Sequence, residues 1–117
     1  MTRPWPVELR LAKDKATLTV AFDSGECFDL PAEYLRVESP SAEVQGHAAS
    51  QKEIVAGKRT VRIEALEPVG NYAVRIRFDD GHDTGLFSWD YLHELGKDRA
   101  TKWSTYLAAL RTRKLER

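Results

Sequence analysis

Short stretches of alternating apolar and polar residues dominate the first third of the chain. The apolar positions are Val7, Leu9 and Leu11 in the first stretch, and Leu18, Val20 and Phe22 in the second. A period of two is typical of a strand with one buried face. Residues 27–30 continue as a third short strand after a Gly-containing turn, and Pro31 suits the first position of a short helix over 31–36. The pattern therefore predicts three strands followed by a helix.

The same order returns in the second half, after a loop over 37–58 that has no clean period. The apolar positions of its two main strands are Val61, Ile63 and Ala65, then Val74, Ile76 and Phe78. A third strand is predicted over 84–87, and Ser88 is a candidate N-cap of a helix that Gly96 would end. A longer helix is predicted from Asp98. Its apolar stripe consists of Ala100, Trp103, Leu107 and Leu110.

The two halves resemble each other at an offset of 56 residues. Leu-Thr-Val-Ala-Phe-Asp-Ser-Gly over 18–25 aligns with Val-Arg-Ile-Arg-Phe-Asp-Asp-Gly over 74–81, and after one inserted residue the Tyr-Leu pair at 34 aligns with that at 91. Two copies of one strand–strand–helix unit would bury their sheet faces together. We therefore predict a small antiparallel-rich α+β domain with Phe22 and Phe78 buried at equivalent strand ends. Phe-Asp-x-Gly is also a common hairpin sequence, so a chance match stays open.

Charge is balanced overall but uneven along the chain. Eighteen basic and eighteen acidic residues cancel, which disfavours a general nucleic-acid-binding surface, while residues 97–117 hold seven Lys/Arg against two Asp/Glu. Arg111, Arg113, Lys114 and Arg117 suit the C-terminal end of a helix. An electrostatic patch for an acidic partner is the alternative. The single cysteine, Cys27, excludes an intrachain disulfide, and no long apolar run is present, so a cytoplasmic protein without a membrane span is expected.

Few residues offer catalytic chemistry. His82 lies in the acidic turn 79–83, whose carboxylates suit it to metal binding or proton transfer, or leave it in a solvated hairpin. With His47 and Glu43 of the long loop it would provide the two histidines and one carboxylate of a non-haem iron site. The sequence contains no nucleophile elbow, phosphate-binding loop, His-Glu-x-x-His or Cys-x-x-Cys pattern. We therefore predict that the protein is not an enzyme.

Three segments, 35–47, 67–72 and 78–92, resemble the gamma-butyrobetaine hydroxylase-like N-terminal domain, also called the DUF971 family. The resemblance covers roughly residues 7–96 and suggests a stand-alone bacterial member. It implies a module that in relatives precedes an iron- and 2-oxoglutarate-dependent catalytic domain, or is joined to ATPases that handle iron–sulfur clusters. In the dioxygenases it implies zinc held by three cysteines and one histidine. Those positions fall here at Ser39, Ser41, Val44 and His82, which excludes a thiolate zinc site.

Three functional hypotheses follow from the residues and the resemblance, of which a small enzyme is the least favoured. The first is a non-catalytic binding or adaptor module for a protein partner, linked to iron or iron–sulfur metabolism. Its surface would comprise Ser39, Ser41, Glu43, His47, Gly81, His82 and Trp89. The second is a metal-binding protein that holds iron or zinc through His82, His47 and Glu43. We expect a monomer or weak homodimer, with residues 1–96 as the family domain and 97–117 as a basic amphipathic helix.

Overall fold

The computed structural model describes residues 4–40 and 54–117, and two three-stranded antiparallel sheets organise them. The first sheet has the order β1-β2-β3, formed by Pro6–Leu11, Thr17–Phe22 and Cys27–Pro31. The short helix α1, Ala32–Val37, follows directly. The second sheet has the order β4-β5-β6, formed by Ile63–Val69, Ala73–Phe78 and Leu86–Ser88. It is followed by α2, Trp89–Lys97, and α3, Arg99–Thr112. The predicted α+β class is confirmed.

The two sheets are built alike down to individual hydrogen bonds. The backbone N–H of Phe22 donates to the Glu26 carbonyl at 2.8 Å, and that of Phe78 donates to the His82 carbonyl at 2.9 Å. Gly25 and Gly81, which close these turns, have φ of 93° and 91°. Phe22 and Phe78 are each only 2% exposed. The predicted repeat, with equivalent buried phenylalanines, is therefore confirmed.

The helices connect the two halves. The Tyr34 hydroxyl of α1 donates to the Leu95 carbonyl of α2 at 2.7 Å, and the Tyr91 hydroxyl of α2 donates to the Glu38 carbonyl at 2.5 Å. Tyr34 and Tyr91 lie 57 residues apart in the sequence, and so do Glu38 and Leu95. The offset is 57 here and 56 in the strands because one residue is inserted before the second helix. The two bonds are therefore one interaction made twice, in opposite directions, across a pseudo-twofold axis.

One core fills the space between the sheets and helices. Eight of its fully buried members come in equivalent pairs, namely Leu18 with Val74, Val20 with Ile76, Leu30 with Phe87, and Leu35 with Leu92. Burial of large aliphatic and aromatic side chains is the main stabilising term of such a domain. Because each sheet contributes one apolar face, neither half can bury its core residues without the other.

The C-terminal helix α3 docks on the domain, although its buried stripe differs from the predicted one. Tyr106 and Leu110 are buried and pack with Val37 of α1, and Trp103 and Leu107 are partly buried against them. Ala100, predicted to lie on the apolar stripe, is exposed. Tyr106 takes part instead, because its hydroxyl can donate to the Val55 carbonyl at 2.6 Å while its ring is buried.

Gly96 does not end a helix, which corrects the prediction from sequence. Helix α2 continues to Lys97, and Asp98 separates it from α3. A Cβ atom at Gly96 would lie 2.4 Å from the ring of Phe28 in β3, so glycine is needed for close packing rather than for a turn. Ser88 does cap α2, since its Oγ accepts the Tyr91 N–H at 3.1 Å. In the described parts of the chain, every helix is too short or too polar to cross a membrane.

Candidate functional site

A serine and a histidine meet in the interior where the two halves join. Ser39 follows α1, and His82 follows β5 in the turn closed by Gly81. Ser39 Oγ and His82 Nε2 share a hydrogen bond of 2.9 Å. The two residues are 0% and 5% exposed. The family resemblance implies that ligand positions in the segment after α1 and in the His82 turn lie together, and for Ser39 the structure brings these two segments together.

Gly85 makes room for this pair. A Cβ atom at Gly85 would lie 2.4 Å from Ser39 Oγ, so a larger residue would displace the serine. Positions 39 and 85 correspond to Gly96 and Phe28 in the other half, at the offset of 57. In that half the strand provides the bulky ring and the helix provides the glycine. In this half the sizes are exchanged, which leaves space for a polar side chain beside His82.

Asp80 anchors the same turn through three donors. Its carboxylate accepts hydrogen bonds from Arg36 Nε at 2.8 Å, from Lys58 Nζ at 2.6 Å and from the backbone N–H of His82 at 3.1 Å. Burial acts against ionisation of Asp80, but the bonds from Lys58, His82 and Arg36 outweigh it and lower its pKa to about 2. Asp80 therefore stays charged and fixes the turn to α1 and to the segment that precedes β4.

A concave region lies at the other end of β5. It is a cavity of about 280 Å³, and its aromatic walls are Trp5, Tyr72 and Trp89. Trp89 is held firmly, because its indole N–H donates to the Asn71 carbonyl at 2.8 Å and its backbone N–H donates to the Tyr72 carbonyl at 3.1 Å. Trp5 is 48% exposed and Tyr72 is 57% exposed. We call this region the aromatic pocket.

Comparison with known proteins identifies the family. The family model described as gamma-butyrobetaine hydroxylase-like, N-terminal, matches residues 9–93. The chain belongs to this family. A comparison with the curated proteins gave no match.

Solved structures extend the match to almost the whole of this chain. Two NMR solution structures share 45% and 46% identity with it, with TM-scores of 0.86 and 0.84. They cover 99% and 100% of this chain, and 91% and 90% of the compared chains. A crystal structure from Acidithiobacillus ferrooxidans, of a protein with unknown function in the DUF971 family, shares 38% identity at a TM-score of 0.65. It covers 78% of this chain and 91% of its own.

The zinc site that the resemblance implies for the dioxygenases does not fit the residues present in this chain. Ser39 stands at one of the implied cysteine positions, and its hydroxyl is hydrogen-bonded to Nε2 of His82. The one cysteine, Cys27, lies exposed on β3. Within residues 4–40 and 54–117 no three His, Cys, Asp or Glu side chains form a possible metal cluster. Glu43 and His47 lie outside the described residues, so the site they would form with His82 stays a prediction.

The structure describes four residues of the predicted contact surface of this family member, and their use by a partner stays a prediction. Ser39 and His82 are buried, and they support the turn from within. Gly81 is exposed, and Trp89 is partly buried in the wall of the aromatic pocket. Ser41, Glu43 and His47 lie in the part of the chain that is not described. Sequence reasoning missed Trp5 and Tyr72, although both neighbour turn-forming or proline residues, where exposed side chains are common.

Asp80 generates a prediction about acid stability. Its pKa is lower in the folded protein than in the unfolded chain, so its contribution is present at neutral pH and is lost as the pH falls from about 4 to about 2. We expect Asp80→Asn to reduce the unfolding free energy by about 2 kcal/mol at pH 7 and by much less near pH 2. Urea unfolding at several pH values measures the difference.

Asp14→Asn, in an exposed turn, serves as the control and should change stability little at any pH. A difference between wild type and Asp80→Asn that stays constant from pH 7 to pH 2 would contradict the assigned role of the carboxylate.

Proposed function

We propose that this protein is a non-catalytic binding module whose contact surface for a protein partner centres on the aromatic pocket. The observation that supports this most is the exposure of Trp5 and Tyr72 beside the fixed indole of Trp89. Trp and Tyr dominate the energetics of protein interfaces, because a large rigid ring loses little conformational entropy when it is buried.

The pocket is also preformed. Two hydrogen bonds fix Trp89 to the backbone between β4 and β5, and Ser88 caps the helix that begins at Trp89. A partner that inserts an apolar side chain between the rings therefore does not need to order this wall first. Two further exposed apolar residues, Val7 and Leu86, belong to β1 and β6, the strands next to Trp5 and Trp89 in sequence.

A catalytic role for the Ser39–His82 pair is disfavoured by burial. A serine and a histidine at 2.9 Å have the spacing of a nucleophile and its general base. A nucleophile must also reach its substrate, and Ser39 has no exposed surface. We therefore assign the pair a structural role in holding the His82 turn. We further propose a link to iron or iron–sulfur metabolism, which the family resemblance suggests.

The proposal predicts that partner binding depends on the pocket rings. Tagged wild-type protein and the Trp5→Ser/Tyr72→Ser variant are expressed in the native cells, cross-linked and purified, and co-purified proteins are quantified by mass spectrometry. We expect a defined partner to be enriched with wild type and reduced by at least about tenfold with the variant, because interface aromatic residues often contribute more than 1–2 kcal/mol each. The partner's identity tests the link to iron metabolism.

Leu115→Ser is the matched control, since Leu115 is another large apolar residue with 42% exposure, and it does not line the aromatic pocket. It should retain the partner. Equal recovery with wild type and the pocket variant would place the contact surface elsewhere and refute this part of the proposal.

The alternative proposal, a metal-binding protein, has its own test. Iron(II), manganese and zinc are titrated calorimetrically into metal-free wild type, His82→Ala and His47→Ala. The binding-module proposal predicts dissociation constants above about 100 μM for each metal. A single imidazole that is already hydrogen-bonded to a serine provides few ligands for a metal ion. Sub-micromolar binding that both substitutions abolish would instead establish the metal site.

A further inference from the structure

Glu33 carries a carboxylate in the interior of the domain. Its side chain is 7% exposed, and it lies in the first turn of α1. Arg117 pairs with it at both oxygens, with Nη2 at 2.7 Å from Oε1 and Nε at 3.1 Å from Oε2. A carboxylate buried to this degree is costly unless a cation satisfies it. The fold therefore contains a carboxylate that requires a cationic partner.

Trp103 adds a contact that favours arginine over lysine. The guanidinium carbon of Arg117 lies 5.3 Å from the centroid of the Trp103 ring. A planar guanidinium can stack on an aromatic ring and present two parallel N–H donors to a carboxylate, whereas an ammonium ion offers neither match. Glu33 and Trp103 line a cavity of about 160 Å³ that Arg117 also borders.

This site holds the guanidinium group of Arg117, while other interactions hold the backbone before it. The Leu115 N–H donates to the Leu110 carbonyl at 2.8 Å and ends α3, and the Gly57 N–H donates to the Glu116 carbonyl at 3.0 Å. The Arg117 side chain remains 37% exposed. One side of this side chain is open to solvent, so an arginine on a different backbone could reach the same carboxylate and ring once Arg117 has left them.

We propose that Glu33 and Trp103 form a recognition site for an arginine side chain of a partner protein. Arg117 occupies this site in the free protein, and the partner's arginine enters by displacing it. The site shares no lining residue with the aromatic pocket, so the proposal does not depend on that pocket. The partner segment needs additional contacts, because Arg117 competes from within the same chain at a high effective concentration.

The test is chemical rescue of Arg117→Ala, followed by thermal unfolding. Removing Arg117 leaves Glu33 without its cation, so the variant should melt at a lower temperature than wild type. We expect about 50 mM ethylguanidinium to raise its melting temperature by about 3–6 °C relative to the same concentration of ethylammonium. N-acetyl-arginine amide should rescue equally, because an arginine on a peptide backbone must fit. Arg113→Ala, which removes an exposed arginine of the same segment, should show no such difference.

Three results would overturn the proposal. These are no difference between ethylguanidinium and ethylammonium, rescue that persists in Glu33→Gln/Arg117→Ala, and rescue by ethylguanidinium but not by N-acetyl-arginine amide. If Arg117→Ala lacks a cooperative transition, Arg117→Lys is used instead. Its ammonium can satisfy the charge of Glu33 without the paired geometry, so ethylguanidinium should still stabilise it more than ethylammonium does.

Discussion

The two reciprocal tyrosine hydrogen bonds are the constraint on which the rest of the structure depends. The buried Tyr34 hydroxyl donates to the carbonyl of Leu95, and the partly buried Tyr91 hydroxyl donates to the carbonyl of Glu38, so each helix satisfies its tyrosine through the other half of the chain. A buried hydroxyl without a partner costs free energy comparable to the hydrogen bond itself. Together with the shared apolar core, these bonds make the two repeats one unit.

The candidate site is a variation on this repeat. The closely packed contact between Gly96 and Phe28 in one half corresponds to the contact between Ser39 and Gly85 in the other. Exchange of the large and small residues opens space for a hydroxyl beside His82. A contact that serves only packing in one half has become polar in the other, and the ionic bonds of Asp80 stabilise the turn around it.

The features that could be predicted from the sequence are those that local pattern and internal repetition determine. Alternation identified the strands, and the offset of 56 placed Phe22 and Phe78 correctly. Gly96 was misinterpreted because a local rule treats glycine as a helix stop, whereas its reason is a ring from a distant strand. The pairing of Glu33 with Arg117 spans 84 residues, and no local signal identifies it. Trp5 and Tyr72 become one pocket only once the two sheets are packed.

The buried polar pair and the exposed aromatic pocket thus have different roles in the molecule. Ser39 and His82 are enclosed and consolidate the join between the halves, while the aromatic pocket faces solvent. The match to the gamma-butyrobetaine hydroxylase-like, N-terminal, family agrees with this fold. The surface features on which we base a binding function, namely the aromatic pocket and the arginine site, both depend on elements that the tyrosine bonds hold in place.

The most direct test of the account is amide hydrogen exchange in Tyr34→Phe, with Tyr72→Phe as control because Tyr72 is 57% exposed. If the halves form one cooperative unit, Tyr34→Phe lowers the protection of the buried amides in β2 and β5 by the same free energy, about 1–3 kcal/mol. The control leaves both strands unchanged. Loss of protection confined to one sheet, or an effect no larger than that of Tyr72→Phe, would contradict the central role of the crossed tyrosine bonds.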